Sequence, residues 1–269
     1  DILLYDCILD DKLIYYIAHG RYAPVQMVLG WTNPFTTGID NMDYIINMKK
    51  SNIQDDLEQY TEKVINMNNI SNILEPINYE NYTLDFLQNF KKNNYNIYFC
   101  GQNIVKYNEE YLKNGILPIL EKDSKAFIIF VNKLPNSKIG IVNDFNILLN
   151  NTLIEYKDRI MVLPKLDHNN YCSLLKLSSV VLDSYPYGSK YSCFETICME
   201  NAFVYINNTS MKGRVSYTLF NTIGVMNGSC KNYKIFVEKA IKFATNKEEK
   251  DKYVSKIKDN KHLLFNKDK

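Results

Sequence analysis

Short apolar segments that alternate with helix-length stretches constrain the fold of this chain most strongly. They are rich in β-branched and aromatic residues and lie at 96–100, 125–131, 159–163, 179–183 and 202–206. The stretches between them, such as Glu109–Leu120 and Tyr171–Leu177, repeat apolar residues with a spacing near 3.6. Near-continuous apolar strands that alternate with helices are typical of a parallel sheet covered on both faces. We therefore predict an α/β fold.

The chain divides into two zones. Residues 1–60 carry apolar runs with a less regular alternation, and the polar, Asn-rich stretch 66–80 contains Pro76, which is typical of a linker. We predict an N-terminal lobe that is only partial, with its linker, over 1–80, and a second lobe over 81–269. Residues 231–260 read as one or two terminal amphipathic helices. Because the chain opens on an apolar run without Met, we expect further sequence upstream.

Composition excludes several classes of partner. Of the 269 residues, 46% are hydrophobic and 23% charged, and the net charge is only +2, so we expect no nucleic acid and no membrane surface as a partner. No segment has the pattern of a signal peptide or a membrane span. The six cysteines form no Cys-x-x-Cys pair and the three histidines are scattered. We expect buried, reduced thiols, no zinc site and a cytoplasmic location.

Charged and polar residues follow three of the predicted strands. Ligands bind at the carboxyl ends of parallel strands, where the loops of neighbouring strands meet. Lysines placed there, beside the unpaired N–H groups of a helix start, can balance a diphosphate, and a carboxylate one turn into a helix suits a ribose diol. The residues selected by this rule are Lys106, Lys165, His168, Gly188, Lys190, Ser192 and Glu195.

At these loops, and elsewhere in the same order, the sequence resembles the O-GlcNAc transferase and SPINDLY-like group, glycosyltransferase family 41. The matching strings are RYAPVQMVLG (21–30), TTG with MDYII (36–46), QYTEKV (59–64), QNIVKYNEEYL (102–112), PKLDH (164–168), VVLDSYPYGSKYSCFE (180–195) and KGRVSYTLFNTIG (212–224). The resemblance extends over nearly the whole chain and rests on the order and spacing of these strings.

The resemblance implies a fold and an activity. The fold is of the glycosyltransferase-B type, here with a complete C-terminal Rossmann-like lobe and part of the N-terminal lobe. The activity is the transfer of a sugar, GlcNAc above all, from a UDP-sugar donor to Ser or Thr of a protein or peptide acceptor, with inversion and without a metal or other cofactor. The lack of an Asp-x-Asp motif agrees with metal independence.

The resemblance also implies roles for single residues. Lys106 is the expected catalytic residue, since it would contact the diphosphate and stabilise UDP as it leaves. Lys165 and His168 would hold the uridine, and Glu195 would accept the ribose hydroxyls. The remaining nucleotide-sugar-binding positions are Asn103 beside Lys106, Leu163, and the phosphate loop of Gly188, Lys190, Tyr191 and Ser192.

Departures from the family pattern keep other interpretations open. CILDDK at 7–12 stands where the family has a loop containing Gly and Thr, which favours a UDP-binding module without catalysis. Lys190-Tyr191-Ser192 replaces His-Thr-Thr, and Glu195 replaces Asp. PYG at 186–188 is similar to the loop of bacterial enzymes that glucosylate Asn, which suggests a UDP-glucose-dependent protein N-glycosyltransferase. A simpler interpretation of His168 is that it caps the helix it begins.

Overall fold

A computed structural model gives the fold of this chain. It describes residues 1–6, 8, 11–30, 35–48, 54–67, 75–77, 94–208 and 213–265.

The first of two sheets is parallel and has the strand order β1-β2-β3-β4. Its strands are β1 (Ile2–Tyr5), β2 (Val25–Leu29), β3 (Tyr44–Met48) and β4 (Lys63–Met67). Helix α1 (Lys12–Ala18) begins at Asp11, whose carboxylate accepts from the backbone N–H groups of Leu13 and Ile14. Strand β4 was not predicted, because its sequence KVINM is half polar and exposed along most of its length.

This sheet has its own small core and a group of polar hydrogen bonds just before β3. Tyr5, Val28 and Ile45 are buried together on one face of the sheet. Asp43, just before β3, accepts from the Arg21 guanidinium at 2.5 and 3.1 Å and from the backbone N–H of Gln26 at 2.8 Å. The pairing lowers the pKa of Asp43, chiefly through the hydrogen bond from Arg21. It thereby ties the entrance of β3 to that of β2.

The second sheet is also parallel and has the strand order β10-β9-β8-β5-β6-β7. Its strands are β5 (Asn96–Asn103), β6 (Ala126–Val131), β7 (Ile160–Leu163), β8 (Val180–Leu182), β9 (Phe203–Ile206) and β10 (Ser229–Cys230). All residues of β6, β8 and β9 are buried, so these strands are covered on both faces, as the sequence predicts.

The helices that cover this sheet follow the predicted segments with two differences. These helices are α2 (Glu109–Tyr111, a π turn over Leu112–Ile116, then Leu117–Lys122), α3 (Ile139–Leu153), α4 (His168–Leu177), α5 (Tyr191–Cys198), α6 (Val215–Thr222), α7 (Tyr233–Thr245) and α8 (Lys247–Asn260). Short 3₁₀ turns lie at Gln54–Gln59, Ile104–Lys106, Asn136–Lys138, Ile154–Arg159 and Lys261–Leu264.

The first difference is the π turn inside α2, which the apolar spacing did not indicate. The second is the start of α4, three residues earlier than its apolar spacing suggested, because the Asp167 carboxylate caps the helix by accepting from the Asn170 backbone N–H at 2.9 Å. His168 therefore is not the cap, and that interpretation of it is wrong. The C-terminal segment forms two helices, separated at Asn246.

The chain path through the second sheet creates a switch point. From β5 it runs through β6 to β7 on one side, then crosses to β8, β9 and β10 on the other. The loops that leave β5 and β8 therefore diverge, and a crevice at such a point is where open α/β sheets bind ligands. The predicted lobe boundary at residue 80 stays a prediction, since residues 78–93 lie outside the described residues.

The cysteines of the described residues are free and buried, namely Cys100, Cys172, Cys193, Cys198 and Cys230. Burial raises the pKa of the Cys172 thiol to about 12. These thiols are therefore packing groups and poor nucleophiles.

Phe130 tests the core of the second sheet. Its ring is fully buried in β6 against Tyr107 and Phe145. Because the truncation leaves a cavity in a packed interior, we predict that Phe130→Ala lowers the free energy of unfolding by about 3–5 kcal/mol. Urea denaturation measures it. The control is Ile147→Ala on α3, where the side chain is 57% exposed and a change below about 1 kcal/mol is expected. Equal effects of the two substitutions would contradict this core.

Candidate functional site

The switch point is bridged by Lys106. Lys106 ends the 3₁₀ turn after β5, which the Asn103 side chain caps by accepting from the Val105 N–H at 3.4 Å. The Lys106 Nζ donates to Gly188 O at 3.0 Å, in the loop after β8, and to Gln102 Oε1 at 3.3 Å. The structure thus brings together two predicted site residues that are 82 positions apart in the sequence.

The environment of this ammonium lowers its basicity. Burial lowers the pKa of Lys106 to about 8, with a smaller lowering by the charge of Lys133 and an opposing effect of Asp183. The Nζ also lies 4.4 Å from the centre of the Tyr187 ring, a cation–π contact. Lys106 is therefore a partly desolvated cation at the ligand edge of the sheet.

The loop after β8 is folded around the carboxylate of Asp183. Its Oδ1 accepts from the backbone N–H groups of Ser184 and Ser189, both at 2.9 Å, and its Oδ2 accepts from Ser216 Oγ at 2.5 Å. Burial raises the pKa of Asp183 to about 6 against the opposing effects of Ser216 and Lys106. Glycine is favoured at position 188, since a Cβ would lie 3.2 Å from the Gly213 carbonyl oxygen.

Helix α5 begins at the same edge. Its N-cap residue is Lys190, whose side chain makes no capping hydrogen bond. The N–H groups of its first turn are therefore a favourable place for an anion. Ser192 lies in this turn, buried, and its Oγ donates to Gly101 O at 3.3 Å.

Lys133, which the sequence reasoning missed, joins this edge from β6. Its Nζ donates to Ser192 Oγ at 3.3 Å and lies 4.0 Å from the centre of the Tyr171 ring. The rule that selected Lys106 would have selected Lys133 too, because it is the second residue after β6.

Glu195 and His168 complete the group. The His168 Nδ1 lies 3.9 Å from Glu195 Oε1, and its Nε2 lies 3.6 Å from the Cys172 Sγ. Burial raises the pKa of Glu195, while the charges of Lys133 and His168 oppose the rise. We call Lys106, Lys133, His168, Asp183, Ser192 and Glu195 the strand-end cluster.

Four further predicted residues are not members of the strand-end cluster. Leu163 is half-buried at the end of β7 and pairs with Val131, and Lys165 is exposed on the loop that follows. No hydrogen bond or ion pair among the described residues joins Lys165 to the cluster. Tyr191 is 60% exposed, and the Lys190 Nζ lies 5.0 Å from the centre of its ring.

The arrangement can hold an anion. Two half-buried ammonium groups lie beside an uncapped helix start, with a carboxylate and an imidazole one turn further along. Across the part of the chain that the structure describes, no group of three His, Cys, Asp or Glu side chains could hold a metal ion. Within the same residues, no helix is both long and apolar enough to span a bilayer.

Sequence comparisons give no relative: no family model matches the chain, and no curated protein does. Solved structures do match its fold. An O-GlcNAc transferase mutant from Thermobaculum terrenum aligns with a TM-score of 0.79 at 16% identity, over 100% of this chain and 50% of that one. A glycosyltransferase from Rickettsia africae aligns with a TM-score of 0.61 at 13% identity, over 98% of this chain and 71% of that one.

A third match is a TarM mutant from S. aureus, in complex with fondaparinux, α-GlcNAc-glycerol and UDP. It has a TM-score of 0.58 at 11% identity, over 90% of this chain and 48% of that one. The chain thus spans about half the length of the T. terrenum and TarM chains. The two parallel α/β sheets and these likenesses confirm the predicted glycosyltransferase-B fold.

Asp183 provides a test of the buried carboxylate. Its folded-state pKa of about 6 lies above that of an unfolded aspartate, so the native state binds the proton more tightly and ionisation of Asp183 removes stability as pH rises from about 4 to about 6. Asp183→Asn lacks this titration. We predict that the free energy of unfolding of the variant, minus that of the wild type, rises by roughly 1–3 kcal/mol over this interval.

Urea unfolding between pH 4 and 7 measures this difference. The matched control is Asp144→Asn on the exposed side of α3, for which the difference should stay flat. A flat profile for Asp183→Asn as well would contradict the burial of an ionisable carboxyl in this loop.

Proposed function

We propose that this chain is the donor-binding part of a glycosyltransferase that moves GlcNAc from UDP-GlcNAc to Ser or Thr of a protein acceptor. The observation that carries the proposal is the Lys106 bridge from the end of β5 to Gly188, beside the uncapped start of α5. A diphosphate needs this combination of a desolvated cation and free backbone N–H groups. The fold shared with the T. terrenum O-GlcNAc transferase supports it.

In this proposal each part of the strand-end cluster has a place along UDP. The diphosphate lies at the first turn of α5, against Lys106, Ser192 and the backbone after Gly188. Glu195, one turn along the helix, accepts the ribose hydroxyls, and His168, whose Nδ1 lies 3.9 Å from Glu195 Oε1, contacts the uridine. In the same proposal Lys165, exposed on the loop after β7, contacts the base.

The proposed chemistry is a single displacement with inversion at the anomeric carbon. The acceptor hydroxyl forms the new C–O bond and its proton passes to water, while the bond from the anomeric carbon to the diphosphate oxygen breaks and UDP leaves. Negative charge develops on the leaving diphosphate, where Lys106 stabilises it. Protein cations and the helix start do the work for which other transferases use a metal ion.

A second candidate function is a UDP-binding module without transfer activity. The replacement at 7–12 favours it, although Cys7, Leu9 and Asp10 of that segment lie outside the described residues. Calorimetry with UDP, combined with an assay for UDP release, separates the two. Tight UDP binding with no turnover of the full-length protein on UDP-GlcNAc or UDP-glucose supports the module, and turnover excludes it.

Turnover also tests Lys106 directly. With UDP-GlcNAc and an acceptor peptide, we predict that Lys106→Ala raises the activation barrier by roughly 2–4 kcal/mol, because the charge on the leaving diphosphate loses its contact. UDP affinity should fall less than the rate. The control Lys113→Ala removes an exposed lysine of α2 and should leave the rate unchanged. An unaltered rate in Lys106→Ala would refute the assignment.

The pH dependence of UDP binding gives a second test. Because the pKa of free Lys106 is lowered to about 8, the lysine loses its proton above that pH unless an anion is bound. We predict that UDP affinity falls as pH rises from 7 to 9, approaching about tenfold per pH unit. Lys106→Met should weaken binding and flatten most of the decline. The uridine profile is the control, because the uracil N3–H begins to ionise at the upper end of this range and its effect must be subtracted from that of UDP. A constant UDP affinity across the range would contradict a protonated Lys106 on the diphosphate.

A further inference from the structure

Lys133 reaches the ligand edge from a different strand than Lys106. Strand β6 pairs directly with β5, so the ends of both strands lie side by side at one edge of the sheet. The Lys133 ammonium is held over the Tyr171 ring at 4.0 Å and donates to Ser192 Oγ at 3.3 Å. It therefore contacts the first turn of α5, which directly follows the loop that Lys106 contacts at Gly188.

The two ammonium groups are close enough to disfavour each other. The charge of Lys133 lowers the pKa of Lys106, and burial lowers the pKa of both. The groups that face Lys133 are Glu195 on α5 and Cys172 and Tyr171 on α4, and the group that opposes the lowering at Lys106 is Asp183.

Neither lysine makes a close ion pair. Among the described residues, no carboxylate oxygen lies within 4.0 Å of either ammonium, and the Glu195 carboxylate instead lies 3.9 Å from the His168 Nδ1. Asp183 already accepts three hydrogen bonds from serines, so its charge is largely committed to its own loop. Two desolvated like charges without a close counter-ion are costly until an anion binds between them.

We propose that Lys133 is a second diphosphate-binding residue, which contacts the same diphosphate as Lys106 from the β6 side of the first turn of α5. This inference rests on the proposed function, because it takes UDP as the ligand of the cluster. In this arrangement, two lysines that follow adjacent strands together neutralise the negative charge of the diphosphate. The competing interpretation is a positioning role, in which Lys133 only holds Glu195 in place for the ribose.

Calorimetric titrations of UDP and of uridine separate these roles. Lys133→Met keeps the length of the side chain and removes its charge. We expect it to weaken UDP binding by about 10–100-fold, the loss of one charge-assisted hydrogen bond, while uridine binding changes less than about twofold. Lys133→Arg keeps the charge and should bind UDP within about fivefold of the wild type.

The matched control is Lys138→Met, which removes an exposed lysine five positions along the chain and should leave UDP binding unchanged. Thermal unfolding checks that each variant is folded, and Lys133→Gln replaces Lys133→Met if that variant is not. Unchanged UDP affinity without the Lys133 charge would overturn the inference, and so would an equal loss for UDP and uridine. Failure of the wild type to bind UDP would instead overturn the proposed function and this inference with it.

Discussion

The hydrogen bond from the Lys106 ammonium to the Gly188 carbonyl joins the two strands at which the chain reverses its direction across the second sheet. The loops after β5 and β8 diverge at this switch point, and the Lys106 side chain spans the crevice between them. A cation, the Gly188 loop and a helix start thus occupy one edge. The rest of the candidate site lies around this contact, and its position at the ligand edge of the sheet follows from the topology.

Asp183 holds the loop at that edge in place. A carboxylate with three hydrogen bonds from serines fixes the loop that carries Gly188 and leads into α5. Its burial raises its pKa while burial lowers that of Lys106, so the edge holds ionisable groups in an environment that favours neither charge. The buried ammonium costs folding stability because it has lost water. A bound anion offsets that cost, so the same burial that destabilises the protein favours ligand binding.

The sequence predicted the parallel strands well, because a strand that is buried on both faces is an unbroken run of apolar residues and its ends are marked by polar residues. It also placed Lys106, Gly188, Ser192, His168 and Glu195 at one edge, since position after a strand determines where a loop emerges. Lys133 was overlooked although it obeys the same rule, because no family motif drew attention to it. The π turn in α2 and the early start of α4 depend on local hydrogen bonds that apolar spacing does not encode.

A crystal structure with UDP tests the central claim most directly, because it locates the ligand without reference to turnover or to the acceptor. The account predicts diphosphate oxygens within hydrogen-bonding distance of the Lys106 Nζ and of the backbone N–H groups that open α5, with the ribose on Glu195. UDP bound elsewhere on the chain, or a diphosphate turned away from the crevice between β5 and β8, would contradict it.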